Sequence, residues 1–476
     1  MLRWDARAPA SATSALSTMN VPLMSLPGLV RAQISAVRNL NSLRFRAIRA
    51  GVWTIGGYGA SQVLRLGGNL VLTRLLFPEA FGLMALVQSV MIGLTMFLDV
   101  GVEASIIQNK RGHEESFINA AWTVQVVQGL MIWLALCILG KPAALFYKAP
   151  MLAQLLPVAG LSALIGGFSS TKMPLAARNL ALKRRVLIEV LSYALGLLSM
   201  VIWAWITRSI WSLVFGNLIG VLAKALASHL ALPGVRNRWI YEKSVFREIF
   251  AFGQWVLLSS VITYIAGEGN KLLVGAFLGV KVLAFFTLAS TFSGLFGQIA
   301  FQLNSYVLFP AYSEIVRTRP EALRSAATRT RLMLLAPGWL LSVVFVFFGD
   351  RFMHLLYDQR YVMSGSILQM LSLGQLIGIL GGSYVGLLWA RGLVSLSTGL
   401  LVAQVAIQIL GMVLGNHFWG PPGVIVSAAA VGWLIYPLSA FVYFKLGLWE
   451  PRLDLPIVAV SLLIALLEFQ HIFVHL

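Results

Sequence analysis

Charge is scarce in this chain. Only 11% of its 476 residues are Asp, Glu, Lys or Arg, 58% are hydrophobic, and the mean hydropathy is +0.83. That leaves too little polar surface to cover a soluble domain of this length, so a soluble enzyme or carrier is excluded. The single cysteine, Cys137, excludes an intrachain disulfide and is silent on redox compartment. There is no GxxxxGK[ST], so no P-loop hydrolyses a nucleotide. "HEESF" at His113 is not HExxH, the other histidines are scattered, and no Asp-x-Asp pair could hold a metal-bound sugar nucleotide. No metal site and no cofactor are expected, and no cleavable signal peptide is visible.

What is abundant is apolar sequence in runs of membrane length. Such runs recur from Gly51 to the C-terminus, continuous rather than alternating at period two, which indicates helices and not a barrel. Spans are expected near 51–73, 80–104, 118–140, 151–171, 186–206, 210–231, 250–274, 282–304, 332–349, 365–389, 393–415 and 423–444. A shorter run at 456–474 is a candidate thirteenth. The fold class is therefore an all-α polytopic membrane protein.

Basic residues supply the orientation, because short cytoplasmic loops retain Lys and Arg. With the basic segment before Gly51 on the inside, the loops expected inside hold 18 Lys and Arg, from Lys110 to Arg452, against 7 in those expected outside, from Arg74 to Arg360. The N-terminus is thus expected in the cytoplasm, and the net charge of +19 is mostly a topology signal. These charges are spread over many short loops with no aromatic-interleaved stripe, which argues against nucleic-acid binding. No loop expected outside exceeds about 25 residues, a poor platform for a membrane glycosyltransferase, polymerase or ligase.

Residues 1–50 differ in composition. "RWDARAPASATSALSTMN" is rich in Arg, Ala and Ser, a bias shared with transit peptides. The simpler expectation is a loosely ordered cytoplasmic tail that grips anionic lipid headgroups. Translation from Met19 or Met24 is an alternative start.

The chain also carries an internal echo. "GGNLVLTRLLFPEAFGLMAL" from Gly67 can be laid on "EGNKLLVGAFLGVKVLAFFTL" from Glu268, with Gly68 on Gly269 and Asn69 on Asn270. An even number of spans per copy makes these parallel repeats about an axis normal to the membrane. The expected organisation is a first six-helix lobe at 51–232, an amphipathic cytoplasmic linker helix at 233–250, a second lobe at 251–444, and a C-terminal tail at 445–476.

"TRLLFPEAFGLMAL", followed by "FLDVGVEASIIQ", "GNKLLVGAFLG" and "LFPAYSEI", resembles the polysaccharide transporter family, the Wzx-type oligosaccharide flippases of the MATE-like superfamily. The likeness runs from about Gly51 to Lys445 and is nearest to the branch exporting colanic acid or succinoglycan-like exopolysaccharide. It implies twelve core helices in two lobes around a central cavity, in the bacterial inner membrane. It also implies translocation of an undecaprenyl-diphosphate-linked repeat unit to the outer face, beside a polymerase or co-polymerase. Ala284 stands where the family often has Gly, and the long basic tail is unusual.

Charged and amide residues inside apolar runs are then the candidate site. A mid-membrane charge costs about 2.5–3.5 kcal/mol on insertion scales, so such residues face a wet cavity or each other. Arg65, Asn69, Glu268, Asn270 and Lys271 are expected to line one central cavity, with the first spans of the two lobes facing each other. Lys224 would extend a cationic track inward, suited to a diphosphate or acidic sugar. The alternatives are a structural salt bridge for Glu268 and Lys271, and snorkelling for Lys224. Asp99 and Glu103, four apart in the second span, are candidates for a gate or ion-coupling site together with Glu268, or are simply solvated acids. Coupling to H+ or Na+ is expected if the substrate's own gradient does not suffice. Pro78, Gly67, Gly68 and Gly269 read as turn and packing positions. The rival functions are a multidrug antiporter, which needs a buried carboxylate switch, and a peptidoglycan-precursor flippase, which needs more helix after Lys445.

Overall fold

The computed structural model describes residues 26–474, and its described residues are helices, turns and short irregular links without a strand. Sixteen α-helices follow one another. They are α1 (Leu26–Leu75), α2 (Pro78–Leu98), α3 (Val102–Gln108), α4 (Glu115–Phe146), α5 (Leu152–Gly167), α6 (Lys172–Arg178), α7 (Leu182–Thr207) and α8 (Trp211–Leu230). After a link come α9 (Lys243–Ser293), α10 (Leu295–Leu303), α11 (Phe309–Thr318), α12 (Leu323–Leu356), α13 (Met363–Gly382), α14 (Val385–Ala390), α15 (Val394–Lys445) and α16 (Pro451–Val474). Among the described residues 9 helices are long and apolar enough to cross a membrane, or 10 if the α5–α6 pair, bent by 58°, is one broken span. Large apolar side chains such as Ile55, Ile138 and Trp205 stand exposed on their outer sides, as a hydrocarbon solvent requires.

Two of the longest helices are hairpins. Gly279 in α9 has φ 79°, and Gly420 in α15 has φ 64°, in the left-handed region that glycine enters without a Cβ clash. A Cβ on Gly275 would lie 3.2 Å from the Leu283 side chain, whereas eight residues of straight helix separate groups by about 12 Å. A Cβ on Gly411 would likewise lie 3.6 Å from the Ser427 Cβ, against about 24 Å in a straight helix. The chain therefore folds back at both glycines, and each helix supplies two arms, as the separate spans expected at 250–274 with 282–304 and at 393–415 with 423–444 require. The apolar run at 456–474 forms the larger part of a further span, α16.

The side on which α1 starts is here called the near face and the opposite side the far face. Within the first half α1 packs on α7, α7 on α8, and α4 on α5; within the second α12 packs on α13 and α13 on α15. The halves meet chiefly where α2 runs antiparallel along the first arm of α9. A core of Leu86, Val87, Leu136, Leu155, Val274, Phe286 and Leu368 fills this junction. Gly82 permits the closest approach, since a Cβ there would overlap the Val280 carbonyl at the α9 bend.

Three sequence expectations need correction. The second span does not continue to residue 104: α2 stops at Leu98, the Asp99 carboxylate accepts a hydrogen bond from the Gly101 N–H at 2.8 Å, and Gly101 at φ 71° turns the chain into α3. The linker at 233–250 is no amphipathic helix over its length, for residues 233–242 are irregular and α9 begins at Lys243. Pro233 removes a donor, and side chains of α4 take the backbone instead, Asn119 Oδ1 accepting from the Arg238 N–H at 2.9 Å and Thr123 Oγ1 from the Ile240 N–H at 3.2 Å. The basic tail is not loosely ordered throughout, because residues 26–50 are the first turns of α1; residues 1–25, with the candidate starts Met19 and Met24, lie outside the described residues.

Candidate functional site

Between the halves lies an open cavity of about 820 Å³. Tyr58, Ser61, Gln62 and Arg65 reach it from α1, Glu189 and Tyr193 from α7, Lys224 from α8, and Gln298 and Gln302 from α10. Arg65 and Lys224 make no ion pair among the described residues, and the Arg65 Nε is buried without a hydrogen-bond partner. The cavity's one carboxylate, Glu189, is already held by Arg185 at 3.1 Å, and Arg185 also grips Glu103 at 2.8 Å. Two uncommitted cations thus face an open space, an arrangement that takes an anion with charge-assisted hydrogen bonds. A second basic hollow of about 500 Å³ opens at the near face, where Arg49, Lys172, Lys183 and Arg184 converge with no acid among the lining groups.

The single cavity expected from sequence is divided. Arg65 and Lys224 do come together, but Glu268, Lys271 and Asn69 line neither this cavity nor the next, and Asn270 lines a different one. The reason is the helix pairing: α1 packs on α7, and α2, not α1, lies along α9. Glu268 accepts from Lys271 Nζ at 2.9 Å and, across the junction, from Ser89 Oγ at 2.6 Å. Tyr264 on the same arm donates to the Ser89 carbonyl at 3.0 Å. This group braces two helices and presents no free charge to a cavity.

Asn270 instead shares a cavity of about 380 Å³ with Gln375, Gln404 and Gln408, inside the second half between α9, α13 and α15. Asp99 and Glu103 are not neighbours on one helical face, since the break at Gly101 separates them; Asp99 closes the turn and Glu103 pairs with Arg185. No group of three His, Cys, Asp or Glu suited to a metal occurs among the described residues.

Sequence reasoning missed one cluster altogether. Arg331 on α12 is fully buried, with its Nη2 2.7 Å from Asp454 and its Nη1 3.3 Å from Glu450 at the start of α16. Its guanidinium lies 3.6 Å above the Tyr384 ring, and the Tyr384 and Tyr436 hydroxyls both donate to Asp454, at 2.7 and 3.0 Å. The acid pair in "WEPRLDLP" just ahead of an apolar run was the available signal.

Both faces carry links between the halves. At the far face Arg360, in the α12–α13 connection, donates to the Arg74 carbonyl at 3.1 Å, and the Tyr361 hydroxyl to the Leu76 carbonyl at 3.3 Å, capping the end of α1. At the near face Arg111 binds Glu114 at 2.9 Å, Glu242 at 2.9 Å and Glu248 at 3.2 Å. The hydrogen bonds from Arg111 and Ser244 hold the Glu242 carboxyl below its ordinary pKa, and Glu242 in turn raises that of Arg111.

Residues 71–365 match the family model described as polysaccharide biosynthesis protein. The chain is 22% identical over 289 residues to the succinoglycan biosynthesis transport protein ExoT of Rhizobium meliloti, covering 59% of this chain and 58% of that one. It is 24% identical over 443 residues to the lipopolysaccharide biosynthesis protein WzxC of Escherichia coli, covering 88% of each. Among solved structures, an inward-facing multidrug resistance MATE transporter of the MOP superfamily superposes with a TM-score of 0.64 at 14% identity, over 82% of this chain and 94% of that one. The lipid II flippase MurJ in an inward closed conformation gives a TM-score of 0.64 at 13% identity, over 87% and 91%. At these identities the structural likeness establishes the fold.

Proposed function

We infer the function from one premise, that this chain belongs to the polysaccharide biosynthesis protein family: it is a flippase that carries a lipid-linked oligosaccharide across a bacterial inner membrane for polysaccharide assembly. The observation that carries this reading is the pair of uncommitted cations, Arg65 and Lys224, in an open cavity between the halves. A diphosphate joined to a polyprenyl tail and a sugar chain would seat its anion there while the tail stays in lipid. Transport is non-enzymatic, since no bond need be made or broken.

In the proposed orientation the near face is cytoplasmic, consistent with the excess of Lys and Arg in its loops. The near-face hollow lined by Arg49, Lys172, Lys183 and Arg184 then lies where anionic headgroups gather. The two bundles act as parallel repeats, and alternating access moves the head from one face to the other. The Arg360 and Tyr361 contacts tie the end of α1 to the second half at the far face, which supports a state closed on that side. No cofactor is needed, and the driving force is an H+ or Na+ gradient or the substrate's own gradient. A multidrug antiporter is less well supported, because Glu268, its candidate buried switch, is already committed to Lys271 and Ser89.

The test is deletion of the gene in its host, with mass analysis of lipid-diphosphate-linked oligosaccharides and of secreted polymer. Completed but unpolymerised repeat units should accumulate inside while polymer is lost. Arg65→Ala and Lys224→Ala, each at normal membrane level, should fail to restore export. Unchanged pools and polymer, with no second copy to compensate, would overturn the reading.

A further inference from the structure

The amide-lined cavity in the second half has a chemistry unlike that of the cationic one. Asn270 comes from the first arm of α9, Gln375 from α13, and Gln404 and Gln408, four apart and so on one face, from the first arm of α15. Ser290 adds a hydroxyl, and no charged side chain lines the space. Gln408 lies fourteen residues into α15, about 21 Å from its start, a depth that falls inside a hydrocarbon core of about 30 Å. Amides buried there are expected to bond to one another or to backbone. Two atoms do not: Asn270 Oδ1 and Gln408 Nε2 are buried with no partner among the described residues, and Gln408 is 2% exposed.

The two orphans are complementary, one an acceptor and the other a donor. A metal cation would satisfy only the acceptor and an anion only the donor. Hydroxyls, which both give and take hydrogen bonds, suit either atom. The volume, about 380 Å³, is within the range of small-ligand pockets. Gly294, at the α9–α10 junction, lines both this cavity and the one that holds Arg65 and Lys224, so the two spaces adjoin.

We propose that the Asn270, Gln375, Gln404 and Gln408 cavity is a subsite for uncharged sugar hydroxyls, placed beside the cationic cavity so that one lipid-linked oligosaccharide occupies both. This rests on the flippase reading and adds to it where selectivity resides. The cations hold whatever carries a diphosphate, and the amides distinguish a sugar-bearing lipid from a bare one, because a substrate without hydroxyls leaves them unpaired.

The full chain in lipid nanodiscs tests this with two probes, the lipid-linked repeat unit extracted from the host's own membranes and undecaprenyl diphosphate without sugar. The native chain should bind the first more tightly. Gln408→Leu and Asn270→Leu should each weaken it about tenfold and leave the bare lipid unchanged, whereas Arg65→Ala should weaken both. Gln408→Asn, which keeps an amide, should recover part of the loss and guards against a misfolded variant. If Gln408→Leu weakens both probes alike, or neither, the subsite is refuted. A sodium dependence of binding that Gln408→Leu abolishes, with sugar preference intact, would make the cavity a cation site and refute it too. Equal binding of both probes by the native chain sinks the sugar subsite alone; binding of neither sinks the flippase reading with it.

Discussion

Arg331 and Asp454 stand 2.7 Å apart with neither side chain exposed, and they join the twelfth helix to the sixteenth across 123 residues of sequence. Breaking a buried pair leaves an uncompensated charge, which costs about 3–5 kcal/mol. Asp454→Ala should therefore lower the stability of the detergent-solubilised chain by that order, read from thermal unfolding. Replacing Arg331 by Met, Glu450 by Gln and Asp454 by Leu together should cost less than the single change. Equal losses would mean that packing, and not charge, holds α16 in place.

Gly82 offers a steric prediction. With no room for a Cβ beneath the Val280 carbonyl, Gly82→Ala must push α2 away from the α9 bend. The loss should exceed the roughly 1–3 kcal/mol usual for overpacking, because backbone and not a flexible side chain has to yield. Gly59, which has nothing within 4 Å of its Cβ position, is the control. Gly59→Ala should be neutral or gain up to about 1 kcal/mol. Melting temperature and the yield of monodisperse protein compare the two.

The Arg360 contacts should govern access at the far face. Its side chain is about a third exposed, at 32%, so the bonds to the end of α1 are worth at most about 1 kcal/mol. In a Cys137→Ser background, a cysteine replacing the buried Thr73 reports opening through its reaction with a membrane-impermeant maleimide. Arg360→Ala should raise that rate up to about fivefold. An unchanged rate would remove Arg360 from the closure.

At the near face the prediction concerns pH. Glu242 has a lowered carboxyl pKa in the folded chain, so its contribution is present above the ordinary value of 4.5 and is lost as pH falls through the folded value. Backbone hydrogen exchange at 233–242, corrected for intrinsic rate, should rise in that acid window. Arg111→Ala should show the faster exchange already at neutral pH. If acid loosens the segment equally in both, the Arg111–Glu242 contact is not its anchor.

The legible parts of this protein are those encoded locally. Hydropathy marks most spans within their own twenty or so residues, so the two arms of α9 and of α15 are evident even though only glycines separate them; the stretch expected at 51–73, with Gln62, Arg65 and Asn69 in it, is not among the helices apolar enough to cross by hydropathy alone. Arg65 and Lys224 stood out because a charge in an apolar run has a cost that composition reveals. What was not legible depends on partners far along the chain. Arg331 sat among basic residues at a span edge and read as a loop charge; its acids lay in what read as a tail. Gln375, Gln404 and Gln408 carry no charge to betray them, and only the fold brings them to Asn270. The break at Gly101 is not legible in the sequence, because Asp99 and Glu103 at a spacing of four suit a helix, while the Asp99 turn that separates them is a matter of backbone geometry.

The Arg331 cluster also dictates an order of assembly. A ribosome adding about 5–20 residues per second delivers Asp454 roughly 6 to 25 s after Arg331. For that interval the guanidinium has no carboxylate from α16, and Tyr384 and Tyr436 arrive before the acid that they serve. The second half therefore cannot reach its final packing until the chain is nearly complete. A product truncated before Glu450 would retain every helix that lines the two cavities, yet would leave the Arg331 guanidinium on α12 without either of its carboxylates.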